Sequence, residues 1–87
     1  MRVTVEVTQE DIDRGRPWRT SDCPAALALC RVVKPRTKVR VARLMWSLGG
    51  EWRNSPQELV RFSRAFDHKE PVKPFRFRLN IPKEMLA

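Results

Sequence analysis

The chain has 87 residues, enough for one modest hydrophobic core, so a single small basic domain spanning residues 1–87 is expected. Eighteen lysines and arginines against ten acidic residues give a formal charge of +8, and thirteen of the eighteen are arginine, whose planar fork suits phosphates and carboxylates. No apolar run approaches the roughly 20 residues that cross a bilayer, and there is no Gly-rich phosphate loop, metal-ligand spacing or paired nucleophile and base. These absences argue against a membrane protein and against an enzyme, and lead to the expectation of no metal and no cofactor.

Arg2 to Val7 alternates, with Val3, Val5 and Val7 on one face and Arg2, Thr4 and Glu6 on the other, the pattern of a half-buried strand. This opening lacks the apolar block and small-residue cleavage site of a signal peptide, so a cytoplasmic location is expected. Thr8 is placed to cap a short helix over Gln9 to Arg14, with Gly15 as its stop. Glu10, Asp11 and Asp13 fall early in that helix, where negative charge complements the macrodipole, a structural rather than an acid/base role.

Arg16 to Thr20 reads as a loop. Trp18 stands in it close to Arg16 and Arg19, able to stack on a base, fill a partner's pocket or fold back over the core. Arg16, Trp18 and Arg19 are therefore secondary binding candidates.

Ser21 to Val33 is the longest run with almost no polar residues. As a helix it places Cys23, Ala26, Leu27 and Cys30 on one face and Ala25, Ala28, Leu29 and Val32 on the next, so it belongs inside. Pro24 suits a first helical turn, and Ser21 or Asp22 is the expected cap. A buried strand is the alternative, disfavoured by the alanines and leucines. Cys23 and Cys30 would lie roughly 10.5 Å apart along such a helix, too far for a disulfide, and are expected as buried, reduced thiols.

Lys34 to Lys38 is a basic connection. Val39 to Leu48 then reads as strand, but Val39 and Val41 share one parity while Leu44, Trp46 and Leu48 share the other. A bulge near Ala42 and Arg43 would keep both sets facing inward. Gly49-Gly50 predicts a two-residue turn, with Leu48 opposite Glu51, Ser47 opposite Trp52 and Trp46 opposite Arg53. Trp46 and Trp52 then point to opposite faces; with Trp46 in the core, Trp52 lies outside, near Met45 and Arg43.

Ser55-Pro56-Gln57-Glu58 reads as a capping box, with Ser55 at the N-cap, opening a helix that runs to about Asp67. Leu59, Phe62 and Phe66 form its inner stripe, with Arg61 and Arg64 away from it, and the solvated His68 lies in the segment that breaks it. Phe75 to Ile81 is the last strand, with Phe75, Phe77, Leu79 and Ile81 inward and Arg76, Arg78 and Asn80 outward. Lys83 to Ala87 is expected as a short tail.

The resulting fold class is α+β: a small, mostly antiparallel sheet of three or four strands with helices packed on one face, in the order β-α-α-β-β-α-β. Lys38, Arg40, Arg43, Arg76 and Arg78, together with Trp52, are the binding candidates of the other face.

Three segments, Val7 to Gly15 (Val-Thr-Gln-Glu-Asp-Ile-Asp-Arg-Gly), Cys23 to Leu29 (Cys-Pro-Ala-Ala-Leu-Ala-Leu) and Phe66-Asp67 with Val72 to Leu79, resemble short, largely uncharacterised proteins of bacteriophages and actinobacteria. They touch about a third of the chain. The resemblance implies a phage or mobile-element origin and nothing about catalysis, and the basic middle from Lys34 to Arg53 lies outside it.

The expectation is thus a non-enzymatic, phage-type binding module that docks on an anionic partner through an arginine-rich sheet face. Its most concrete form is contact with a nucleic-acid backbone, weakly sequence-specific because the outward residues of the last strand are arginine rather than stacking aromatics. The alternative is an inhibitor or modulator of a host enzyme, from restriction, CRISPR or transcription machinery, bound through an acidic protein surface. Neither reading requires a small-molecule substrate.

Overall fold

The computed structural model describes residues 1–87. Its elements are β1 (Arg2–Val7), α1 (Gln9–Arg14), α2 (Pro24–Val32), β2 (Val39–Val41), β3 (Met45–Leu48), β4 (Glu51–Asn54), α3 (Gln57–Asp67), β5 (Phe75–Asn80) and a 3-10 turn, Lys83–Met85. The α+β class and the order of elements agree with the sequence. The strands divide between two antiparallel sheets, β1 with β5 and β2-β3-β4, where one sheet was expected.

Helix α2 packs against β1, β2 and α1, which makes it the element shared by both sheets. Ala25, Ala26, Ala28 and Leu29 are 0–1% exposed. The small alanine side chains let two strands and a helix approach the same backbone, and apolar area removed from water stabilises the arrangement at roughly 25 cal/mol per Å². One face is more open than the sequence implies: Leu27 is half-buried and Cys30 exposed, so only Cys23 is the expected buried thiol. Helix α2 has no side-chain cap either. Cys23 occupies the N-cap position, Pro24 follows in the first turn as expected, and the Asp22 carboxylate pairs with Arg19 at 3.1 Å.

Gly15 lies where α1 runs into α2. A Cβ there would stand 2.5 Å from Pro24 Cδ and 2.7 Å from Pro24 N, so the close approach of the two helices requires a residue without a side chain.

The phase change between Val41 and Leu44 is a chain reversal rather than a bulge. Ala42 N–H donates to Met45 O at 2.7 Å, closing a tight turn that sets Val41 opposite Trp46 and Val39 opposite Leu48. All four face the core, and Leu44, expected inside, is left in the turn at 61% exposure. Gly49 and Gly50 have φ of +62° and +92°, the left-handed pair that a two-residue hairpin turn needs.

Helix α3 starts one residue later than its sequence suggests. Pro56 is the N-cap, and its carbonyl accepts from Leu59 N–H at 3.0 Å and Val60 N–H at 3.1 Å. Ser55 makes no cap; its N–H donates to Leu44 O at 2.9 Å and its buried Oγ has no hydrogen-bond partner. Phe62 stacks on Phe75 with centroids 4.5 Å apart, and Phe75 on Phe77 at 5.5 Å, which ties α3 to β5. The last residues are not a free tail: Lys34 N–H donates to Met85 O, Ala87 N–H to Val32 O, and Val33 bridges Leu86.

Candidate docking face and pocket

The Gly49-Gly50 turn fixes the register as its length dictates: Leu48 opposite Glu51, Ser47 opposite Trp52, Trp46 opposite Arg53. Side chains alternate across a strand, so Arg40, Ser47 and Trp52 form one row on the outer face of β2-β3-β4, with Met45 and Asn54 in the row beside it. Trp46 goes inward at 3% exposure while Trp52 stays outside at 48%. Ser47, in the central strand between two long side chains, is buried although it faces outward.

Lys38 extends the outer face by parity and is held next to the glycine turn, where its carbonyl accepts Gly49 N–H at 2.9 Å. Arg43 and Leu44 lie in the turn at the opposite end of β3. No carboxylate stands among the outward positions of this sheet, because Glu51 has the parity of Trp46 and pairs with Arg53 at 3.8 Å. Five of the eighteen cationic side chains form ion pairs with carboxylates, and Lys38, Arg40 and Arg43 are not among them.

Arg76 and Arg78 do project outward as expected, but from the other sheet. There Arg76 opposes Glu6 and its Nε donates to Glu6 Oε2 at 3.0 Å, whereas Arg78 opposes Thr4 and has no ion pair. The single arginine-rich face is therefore two faces: Arg40 and Trp52 on one sheet, with Lys38 just ahead of β2 and Arg43 in the β2-β3 turn, and Arg76 and Arg78 on the other. A shallow groove lined by Arg53, Asn54, Arg78 and Asn80 adjoins both.

The loop candidates separate in a similar way. Thr20 O accepts Val41 N–H at 2.8 Å, which lays the loop against the edge of β2 and brings Trp18 and Arg19 beside Arg43. Arg16 lies outside this group; its N–H donates to Asp22 O at 3.0 Å and its side chain is exposed. Trp18 has φ +61°, a conformation a bulky residue adopts only under constraint. The constraint is visible: its N–H donates to Asp67 Oδ1 at 2.8 Å and its ring meets His68 edge-on at 5.4 Å, leaving Trp18 64% exposed.

Between the loop, the Ala42–Leu44 turn and α3 lies a partly enclosed cavity of about 140 Å³. Trp18, Arg19 and Arg43 line it together with Cys23, Phe62 and Phe66, and its walls are predominantly apolar. Burial pushes the Cys23 thiol up, so this group stays protonated and acts as an apolar wall. The sequence signalled the ingredients, a tryptophan between arginines and an arginine at the phase change, but the cavity itself arises from contacts among segments far apart in the chain.

No group of three or more His, Cys, Asp or Glu side chains is arranged to hold a metal ion, and no helix is long and apolar enough to cross a membrane. No family model, curated protein or solved structure matches this chain.

Proposed function

We propose that the chain is a non-enzymatic binding module that docks on an acidic protein surface through the outer face of β2-β3-β4. The single observation that carries this reading is the company its cations keep. Four of the five large apolar side chains that the fold leaves exposed, Trp18, Leu44, Met45 and Trp52, lie on this face, its terminal turn or the adjoining loop. Lys38, Arg40 and Arg43, without ion pairs, stand among them. Tryptophan, methionine and arginine are the side chains enriched where proteins meet, and an apolar centre rimmed by charge is the usual anatomy of such a contact. Unpaired cations select and steer an acidic counterpart.

Contact with a nucleic-acid backbone is the second reading. It is favoured by the exposed Trp52 ring among unpaired cations, an arrangement that suits a stacked base and its phosphates. It leaves Leu44 and Met45 without a role. An origin in a phage or mobile element, which the three resembling segments imply, fits a small protein that occupies a host enzyme.

The test compares the wild-type chain, a Lys38→Glu/Arg40→Glu variant and Trp52→Ala, each immobilised, in a nuclease-treated actinobacterial lysate. A protein held by the wild type and released by both variants supports the docking reading. Binding to arbitrary single-stranded DNA that weakens steeply between about 50 and 200 mM salt, with no protein retained, replaces it with the second reading.

A further inference from the structure

We infer that the cavity between Trp18, Arg43 and Phe62 is an anchor socket beside the docking face, at the edge of β2: it takes one Phe or Leu side chain from an acidic segment of the partner. The inference rests on the protein-docking reading above and deepens it by assigning the chemistry of the contact. Size is the first argument. A cavity of ~150 Å³ holds a benzene ring, so the 140 Å³ here is the size of one phenyl or isobutyl group.

The lining is the second argument. Cys23, Ala25, Phe62 and Phe66 offer hydrocarbon and a protonated thiol, which suits an apolar side chain. A nucleobase would bring polar edges into mostly apolar walls, and polar groups buried without partners cost free energy. Charge at the rim is the third. Arg43 forms no ion pair, and the pair of Arg19 with Asp22 joins two side chains that are 54% and 44% exposed, so it is weak and exchangeable. The one carboxylate in the lining, Asp67, is turned to the Trp18 N–H, which its Oδ1 accepts. An anchor residue seated in the cavity therefore finds two guanidinium groups, Arg19 and Arg43, against that single carboxylate, a balance that favours acidic neighbours.

Trp18 itself is the fourth. Its left-handed backbone, held by Asp67, keeps a large ring at the mouth of the cavity and largely exposed instead of folded into the core. Strain of this kind is retained where a surrounding structure over-determines it, and pre-organising an aromatic wall lowers the ordering cost of binding.

The probes are the peptide Asp-Glu-Phe-Asp-Glu with blocked termini, its Ala analogue Asp-Glu-Ala-Asp-Glu, the basic peptide Lys-Lys-Phe-Lys-Lys and single-stranded oligothymidylate. Each is titrated into uniformly 15N-labelled protein and followed by amide and indole chemical shifts. The expected result is saturable movement of the Trp18, Cys23 and Phe62 signals with the acidic Phe peptide, at an affinity about tenfold or more above that of the Ala analogue and the basic peptide. Ser63→Phe, which places a ring into the cavity from α3, removes the preference for Phe over Ala; Arg43→Glu, at an exposed position, removes the preference for the acidic over the basic Phe peptide and serves if the first variant does not fold.

Acidic Phe and Ala peptides that move Lys38, Arg40 and Trp52 equally, with Cys23 and Phe62 unmoved, overturn the socket and leave the docking reading standing. Neither acidic peptide moving any of these signals overturns both. The basic Phe peptide binding as well as the acidic one overturns the assigned charge, and oligothymidylate moving the cavity signals in place of the peptides overturns the assigned ligand.

Discussion

Arg31 of α2 clasps Asp11 of α1 through both of its terminal nitrogens, with Nη2 donating to Oδ2 at 2.6 Å. The same carboxylate accepts Thr8 N–H at 2.9 Å while Asp11 N–H donates to Thr8 Oγ1 at 3.2 Å, and Arg31 Nη2 reaches Glu6 O at 3.0 Å. One buried carboxylate thus joins the end of β1, the cap of α1 and the last turn of α2. Asp11→Ala is expected to destabilise the fold by about 1–3 kcal/mol, below the range for fully buried pairs because Arg31 is half exposed. Urea denaturation of the two proteins measures the difference.

That pair also sets an acid dependence. The Arg31 hydrogen bond, with the Thr8 contacts, holds the Asp11 carboxyl below its usual 3.8 despite the opposing effect of burial. The folded value is the lower one, so the stability it contributes is present above pH ~4 and is lost as pH falls through the folded value. Thermal melts of the wild type from pH 6 down to about pH 2.5 should show a decline that is shallower in Asp11→Asn.

Gly15→Ala is expected to cost about 1–3 kcal/mol, although φ at this position is −71° and suits any residue. The cost comes from the new methyl group meeting the Pro24 ring and backbone nitrogen. Denaturation midpoints check it, and a stability equal to the wild type would mean that α1 and α2 separate freely.

Charge on α2 discriminates its faces. Leu29→Asp places a carboxylate where exposure is 0% and should leave no folded protein by circular dichroism. Leu27→Asp, at a half-buried position, should remain folded with reduced stability. Equal effects from the two would contradict the orientation of the helix.

The thiols give an independent check of the same orientation. Burial pushes both upward, yet Cys30 is exposed and Cys23 is buried. With a maleimide reagent under native conditions Cys30 should modify first, and Cys23 about a hundredfold or more slowly, catching up once denaturant is added. Mass spectrometry of the digested protein reads each site.

Where a residue's fate depends on close neighbours in sequence, it was legible. Val3, Val5 and Val7 face inward and Arg76 and Arg78 outward because a strand alternates. Trp52 lies outside because a Gly-Gly turn leaves a two-residue loop no other register. Thr8 caps α1 because its hydroxyl is three residues from the Asp11 N–H it accepts. Leu44 defeated the same reasoning: its parity matches Trp46, but the hydrogen bond from Ala42 to Met45 reverses the chain around it.

What local pattern determined by itself, then, was the three helices and the strands apart from the break between β2 and β3, their order along the chain, the inner and outer sides of each strand and the surplus of positive charge. Which strands share a sheet, and hence that Arg76 faces Glu6 while Lys38 and Arg40 stand apart with Trp52, was decided only when α2 packed against β1 and β2. The cavity at Trp18 belongs to that second kind. Its walls come from a loop, a turn and two helices, and contacts between distant segments depend on how whole surfaces fit together, which no spacing along the chain encodes.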